Sequence, residues 1–247
     1  MTRVALCIYG TVRNISFSNI FKNMGHIADH VDAFVSLRRE ELNKDGHYRK
    51  YNTPLLDNNN VINIATYNIL YGDPVWVNCS CHSPYMQGFM NRLESLKWCG
   101  ESVTAYEHRL HSQYDAIVAM RSDLTFTSPM YPVSRMRHLW HDRFPRAYVD
   151  RDHFWVIPRG KHHILFNPIN NVFNQCNNRS CFKSTSEYYI RRYFYKQNIP
   201  CVPISLKQIL IRGSVRKGGA SFENLVHDCH SNIKIQKYAI SNNSLNI

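Results

Sequence analysis

The chain has 247 residues, 44% hydrophobic and 13% aromatic, enough apolar side chain for a packed core, which excludes wholesale disorder. Thirty Lys and Arg against 18 Asp and Glu give a net charge of +12, spread along the chain and densest from Arg135 to Lys161. An anionic partner is therefore expected (nucleic acid, an anionic membrane face or a phosphorylated small molecule), met by a basic cleft rather than a basic tail.

Nothing resembles a secretory signal, and no run approaches the roughly 18 apolar residues of a membrane span. A soluble, cytoplasmic protein with no transmembrane segment is expected, at most peripheral to a membrane through its basic face. In that setting Cys7, Cys79, Cys81, Cys99, Cys176, Cys181, Cys201 and Cys229 are expected as reduced thiols.

Arg3 to Tyr9 reads as a central strand buried on both faces, and Gly10-Thr-Val-Arg13 follows at once. Glycine lets the backbone approach a ligand, and Arg13 suits a phosphate, although a strand-to-helix turn with a surface arginine fits the same residues. Ile15 to Val31 has helical spacing, and Ala33 to Leu37 reads as a second strand, so a right-handed crossover and a parallel pair are expected. Residues 38–60 read as a polar loop, and Val61 to Ile64 as a short third strand.

Cys79-Ser-Cys81-His82 lacks the spacing of a structural zinc site. Tyr85 to Leu110 is the strongest helix, with Met86, Phe89, Leu93, Leu96 and Val103 as its apolar stripe. Arg92, Glu94, Lys97 and Glu101 are assigned to its wet side. Tyr114-Asp115 leads into the apolar strand Ile117 to Met120, which ends abruptly in Arg121-Ser-Asp123. A cation and a carboxylate at such a strand end form either a site or a structural ion pair.

Beyond Phe126 a proline-rich loop leads to Ala147–Val149, then to Asp150-Arg-Asp152-His153, and then to a strand from Phe154 to Ile157. Residues 186–195 read as a helix, residues 200–204 as an extended segment and 206–211 as a last element. Residues 1–212 are taken as one α/β domain with a mostly parallel central sheet flanked by helices, and 213–247 as a polar, loosely ordered extension.

Three features together resemble a family of small glycosyltransferase-like proteins of large DNA viruses, algae and microbes. They are the first strand with Gly10-x-x-Arg13, the helix ending in Tyr106-Glu107 before Tyr114-Asp115 and Arg121-x-Asp123-Leu-x-Phe126, and Asp152-His-Phe154. The likeness spans about residues 3 to 160. It implies a Rossmann-like nucleotide-sugar transferase fold of the A type. It also implies transfer of a sugar, of the hexosyltransferase type, from a nucleoside-diphosphate sugar to a glycan, glycoprotein or other hydroxyl acceptor, in the host cytoplasm if the chain is viral.

On that resemblance Tyr9, Gly10 and Arg13 line the nucleotide pocket, Arg121 and Asp123 meet the diphosphate, and Asp152 is the general base. Mn²⁺ or Mg²⁺ is implied as cofactor, with Asp123 as its ligand and Asp150 as the alternative. This sequence departs from the family's usual Asp-x-Asp, because Arg121 stands where the first carboxylate is expected. The second reading is a non-catalytic basic protein that binds nucleic acid or glycan on the same fold. No nucleic acid is expected under the first reading, because the aromatics fall within apolar segments and no standard binding signature appears.

Overall fold

In the computed structural model the described residues are 1–12, 15–42, 48–50, 62–70, 84–136, 140, 146–150, 153–161, 201–204 and 208–210. Arg13, Arg151, Asp152, the Cys79-Ser-Cys81-His82 stretch, the 186–195 segment and the 213–247 extension lie outside them. Strand β1 is Arg3–Thr11, helix α1 Phe17–Met24, β2 His30–Arg38 and β5 Asn63–Leu70, with a small hairpin of β3 (Glu40–Leu42) and β4 (Tyr48–Lys50) between the last two. Helix α2 (Pro84–Leu110) leads to β6 (Ala116–Arg121), and β7 is Leu124–Phe126. Strands β8 (Ala147–Asp150), β9 (Phe154–Pro158), β10 (Cys201–Pro203) and β11 (Gln208–Leu210) complete the described elements.

Seven strands form one sheet in the order β10-β8-β9-β6-β1-β2-β5. The mostly parallel sheet expected from the sequence is present: β5, β2, β1 and β6 run parallel in succession, as do β8 and β10. Strand β9 alone is reversed, pairing antiparallel with both β6 and β8. β7 and β11 pair separately, also antiparallel.

Alternation along the central strands divides the core into two layers. Ala5, Cys7 and Tyr9 of β1 pack with Phe89, Leu93, Leu96 and Val103 of α2. Val4, Leu6 and Ile8 face Phe17, Ile20, Phe21 and Met24 of α1. β1 is thus buried on both faces, which its unbroken apolar run required. α1 is shorter than its apolar spacing suggested. Ser16 caps its start by accepting from the Asn19 N–H, and the Gly25 N–H closes its end on Phe21. Val31, assigned to the helix from sequence, lies in β2.

A buried carboxylate pins the amino ends of the strands. Asp32 accepts from the Tyr114 hydroxyl at 2.6 Å and from the Asn63 amide, and it lies 3.0 Å from His30 Nε2 and 3.7 Å from the Arg3 guanidinium. Burial first, and then the Asp32 carboxylate, push the Tyr114 hydroxyl well above its ordinary range, so it stays a proton donor. Glu107 accepts from the Tyr114 N–H at 2.8 Å and from Arg159 at 2.9 Å, and the Asp115 carboxylate accepts from the Arg3 N–H at 2.8 Å. The Glu107 and Tyr114-Asp115 features of the sequence therefore hold the entry to β6 in register.

Cys7 and Cys99 correct the reduced-thiol expectation. Cys7 points from the middle of β1 towards α2 and Cys99 points back, with Cα atoms 5.9 Å apart, and the two form a disulfide. Compartment was the only guide to redox state in the sequence, and it carries no information about which thiols meet in space. The bond closes a loop between cysteines 92 residues apart. Peptide mapping without reduction is expected to recover Cys7 linked to Cys99, and Cys7→Ala/Cys99→Ala to lower unfolding stability by about 2–5 kcal/mol. Recovery of both as free thiols, with the double variant equally stable, contradicts the pairing.

Candidate active site at the ends of β1 and β6

From β1 the chain builds outward through β2 to β5, then returns through α2 to lay β6 on the other flank of β1. α1 and α2 pack on opposite faces of the sheet. The strand order therefore reverses between β1 and β6, and a crevice beyond their carboxyl ends is where an open α/β sheet binds ligands. Tyr9 pairs with Arg121 and Gly10 with Leu37 in the register, so Gly10 belongs to β1 itself rather than to a turn after it, and it lies beside Arg121-Ser-Asp123 near the end of the strand.

Gly10 has φ +130°, a conformation that side chains strain to adopt, and an added Cβ would lie 3.0 Å from Ser122 Oγ. This end of β1 is clamped from two sides. Ser122 donates its N–H to the Tyr9 carbonyl and its hydroxyl to the Thr11 carbonyl, both at 2.9 Å. Ser95 of α2 donates to the Gly10 carbonyl at 3.2 Å. The Val12 N–H closes on the Arg38 carbonyl at 2.8 Å.

Arg121 and Asp123 hold each other. Nε donates to one carboxylate oxygen at 2.9 Å and an Nη to the other at 2.5 Å, a side-on pair with each residue only 6% exposed. Burial pushes the Asp123 carboxyl up, but the Arg121 guanidinium, Arg92 and His153 outweigh it and hold the group below its ordinary range. The Arg121 N–H also donates to the His153 carbonyl at 2.9 Å, which joins the start of β9 to the end of β6.

A second buried pair lies nearby: Arg38 at the end of β2 meets Glu94 of α2 at 2.5 Å. Glu94, assigned to the wet side of the helix, is therefore buried, whereas Glu101 is exposed and pairs with Lys97. The correction has a simple cause. The first half of α2 crosses the polar ends of the strands, so a charge on its inner face finds a partner there.

Of the predicted site residues, Gly10, Arg121 and Asp123 come together, buried, at the carboxyl ends of β1 and β6. The Tyr9 ring does not face it. It is 1% exposed and stacks on Trp155, with ring centroids 5.6 Å apart, inside the α2-side core. Asp150 is placed by register opposite Phe154, whose other neighbour is Met120, so its backbone belongs to the same edge of the sheet. Arg13 and Asp152 lie outside the described residues.

Sequence reasoning missed Arg38, Ser95 and Trp155, and placed Arg92 and Glu94 only as surface residues. A usable signal was present. Leu37-Arg38 repeats the pattern of Met120-Arg121, a buried strand ending in arginine. No protein-family model matches the chain, and no curated protein sequence matches it.

Two outcomes are expected. Gly10→Ala strains the end of β1 and displaces Ser122, so it is expected to weaken ligand binding at these strand ends by at least about tenfold; calorimetric affinity equal to wild type contradicts a role for Gly10. Asp123→Asn is expected to cost about 3 kcal/mol at neutral pH, because it leaves Arg121 buried opposite a neutral group. The Asp123 carboxyl is depressed from an ordinary value of 3.8, so the stability it confers is complete above that pH and is lost as pH falls through the lower folded value. The gap between wild type and Asp123→Asn in denaturant titrations should therefore close in acid, and a gap unchanged to the lowest pH contradicts the assignment.

Proposed function

We propose that the protein transfers a sugar from a nucleoside-diphosphate sugar to a hydroxyl of a glycan or glycoprotein. The observation that carries this reading is the meeting of a positive-φ glycine near the end of β1 with the buried Arg121–Asp123 pair where the strand order reverses between β1 and β6. The seven-stranded α/β sheet supports a nucleotide-sugar transferase architecture of the A type. Close backbone approach at Gly10 suits a nucleotide, with Arg13 following it in the chain.

In this reading Asp152 takes the proton of the acceptor hydroxyl. The acceptor oxygen forms a bond to the anomeric carbon while the bond from that carbon to the diphosphate oxygen breaks, and the electron pair leaves with the diphosphate. In this reading the Arg121 guanidinium stabilises the charge that develops there. That sequence inverts the anomeric centre.

A divalent cation would supply the same neutralisation in the A-type resemblance. Asp123 does not fit that task, because both of its oxygens already accept from Arg121. No step is assigned to a metal.

A thermal-shift panel of nucleoside diphosphates and their sugars is expected to single out one base, with stabilisation of about 2.7 kcal/mol when the ligand stands at 100 times its Kd. The Arg121→Ala/Asp123→Ala double variant is expected to lose that shift. Asp152→Asn is expected to keep the shift while glycosyl transfer drops at least about 100-fold. No shift with any nucleotide, together with salt-sensitive retention on a polyanion, favours a non-catalytic basic binding protein.

A further inference from the structure

We propose that the Cys7–Cys99 pair is a redox-operated latch on the carboxyl ends of β1 and β6. Oxidised, it holds the first half of α2 down on β1; reduced, it releases that half while the fold stays intact. The latch concerns the strand ends themselves and acts on whatever ligand they receive.

Two observations carry it. The first is a second partner waiting for the same sulfur. Cys99 Sγ is bonded to Cys7 and also lies 3.2 Å from the Phe34 carbonyl oxygen of β2. A disulfide sulfur has no proton to donate there, whereas a thiol does, so the carbonyl becomes its hydrogen-bond partner once the bond is cut. Cys7 stays in the same apolar layer as Ala5, Phe34 and Ala119, where a thiol packs as a small hydrophobe. The core therefore accommodates both redox states.

The second observation is where the bond sits along α2. The last part of the helix is held without it. Tyr106 packs edge-on to Phe34 with ring centroids 5.5 Å apart, Glu107 accepts from the Tyr114 N–H and from Arg159, and residues 111–115 join the helix directly to β6. The first half meets the strand ends through Ser95, which donates to the Gly10 carbonyl, and through Glu94, paired with Arg38. Ser95 precedes Cys99 by one helical turn on the same face, and Gly10 follows Cys7 by three residues on β1. Without the covalent tie, a neutral hydrogen bond of small net worth, one ion pair and the apolar stripe keep that half seated. Local opening at the carboxyl ends then becomes easier than at the amino ends.

The reductant is a dithiol. Its thiolate attacks one protein sulfur, the S–S bond breaks with its electron pair leaving on the other, and the second thiol displaces the resulting mixed disulfide. The protein gains two electrons and two protons, and the dithiol leaves as its cyclic disulfide. Cys7 and Cys99 are 0% exposed, so attack waits for the first half of α2 to lift.

Hydrogen exchange of the full chain, read by mass spectrometry in the oxidised form and in dithiothreitol, tests the latch. The Val12 N–H, which closes on the Arg38 carbonyl, and the Ser122 N–H, which closes on the Tyr9 carbonyl, report on the carboxyl ends. The Asp115 N–H on the Arg3 carbonyl and the Tyr114 N–H on Glu107 report on the amino ends. Reduction is expected to speed exchange at the first pair at least about tenfold and at the second less than about threefold, and oxidised glutathione to restore the original rates. Ser95→Ala in the oxidised protein is expected to speed the first pair about threefold or more. Equal acceleration at both edges, or reduction that occurs only in denaturant, marks the bond as a structural staple and overturns the latch. Unchanged rates, once alkylation has confirmed both thiols free, overturn it as well. Oxidised Ser95→Ala with wild-type rates removes the route through Gly10 and overturns the proposal.

Discussion

A strand buried on both faces has room for polar side chains only at its ends, and β1 and β6 are both such strands. Their residues fill the α1 and α2 layers alternately, leaving no solvated face along the strand. Every charge they carry, or that a neighbour brings to them, must collect at one edge of the sheet or the other and be paired there. Two polar clusters among the described residues follow from that constraint. At the amino edge Asp32 gathers Tyr114, His30, Asn63 and Arg3. At the carboxyl edge Arg121 meets Asp123 and Arg38 meets Glu94. The first is closed and structural. The second lies where the strand order reverses, the position that makes a polar cluster useful to a ligand.

Helix α2 ties the two levels together. Its first half supplies Arg92, Glu94 and Ser95 to the carboxyl edge, Cys99 joins it covalently to β1, and Glu107 near its end holds the entry to β6. Ser95 is one turn from Cys99, and Gly10 is three residues from Cys7, so the disulfide fixes the distance between α2 and the strand that carries Gly10. Stability and site geometry are consequently hard to alter separately in this region. Removing one member of a buried pair leaves a charge uncompensated in low dielectric, a larger penalty than the pair's own contribution.

Much of this was legible in the sequence, and the limits have physical causes. The runs Val4–Ile8 and Ile117–Met120 announced central strands because only a doubly buried strand tolerates them, and the stripe of Phe89, Leu93, Leu96 and Val103 announced α2. The abrupt polar ending at Arg121 coincides with the end of β6. Periodicity does not say what a helix face meets, so Glu94 read as solvated although it lies over the end of β2. Tyr9 read as pocket lining because it precedes Gly10, yet alternation turns its ring into the core against Trp155. The reversed direction of β9 depends on a pairing between distant segments, and so does the meeting of Cys7 with Cys99; no local pattern encodes either. The end of α1 at Gly25 did have a local signal, and the apolar spacing that continued past it masked that signal.

The central claim is that the crevice between the ends of β1 and β6 receives a phosphorylated nucleotide. A crystal structure of the protein with a bound nucleoside diphosphate tests it most directly. The expected result places the diphosphate beside Gly10 at the end of β1, within charge-assisted hydrogen-bonding distance (roughly 2.7–2.9 Å) of Arg121. A nucleotide seated elsewhere on the fold, with the Arg121–Asp123 pair and Gly10 untouched by it, would contradict the claim.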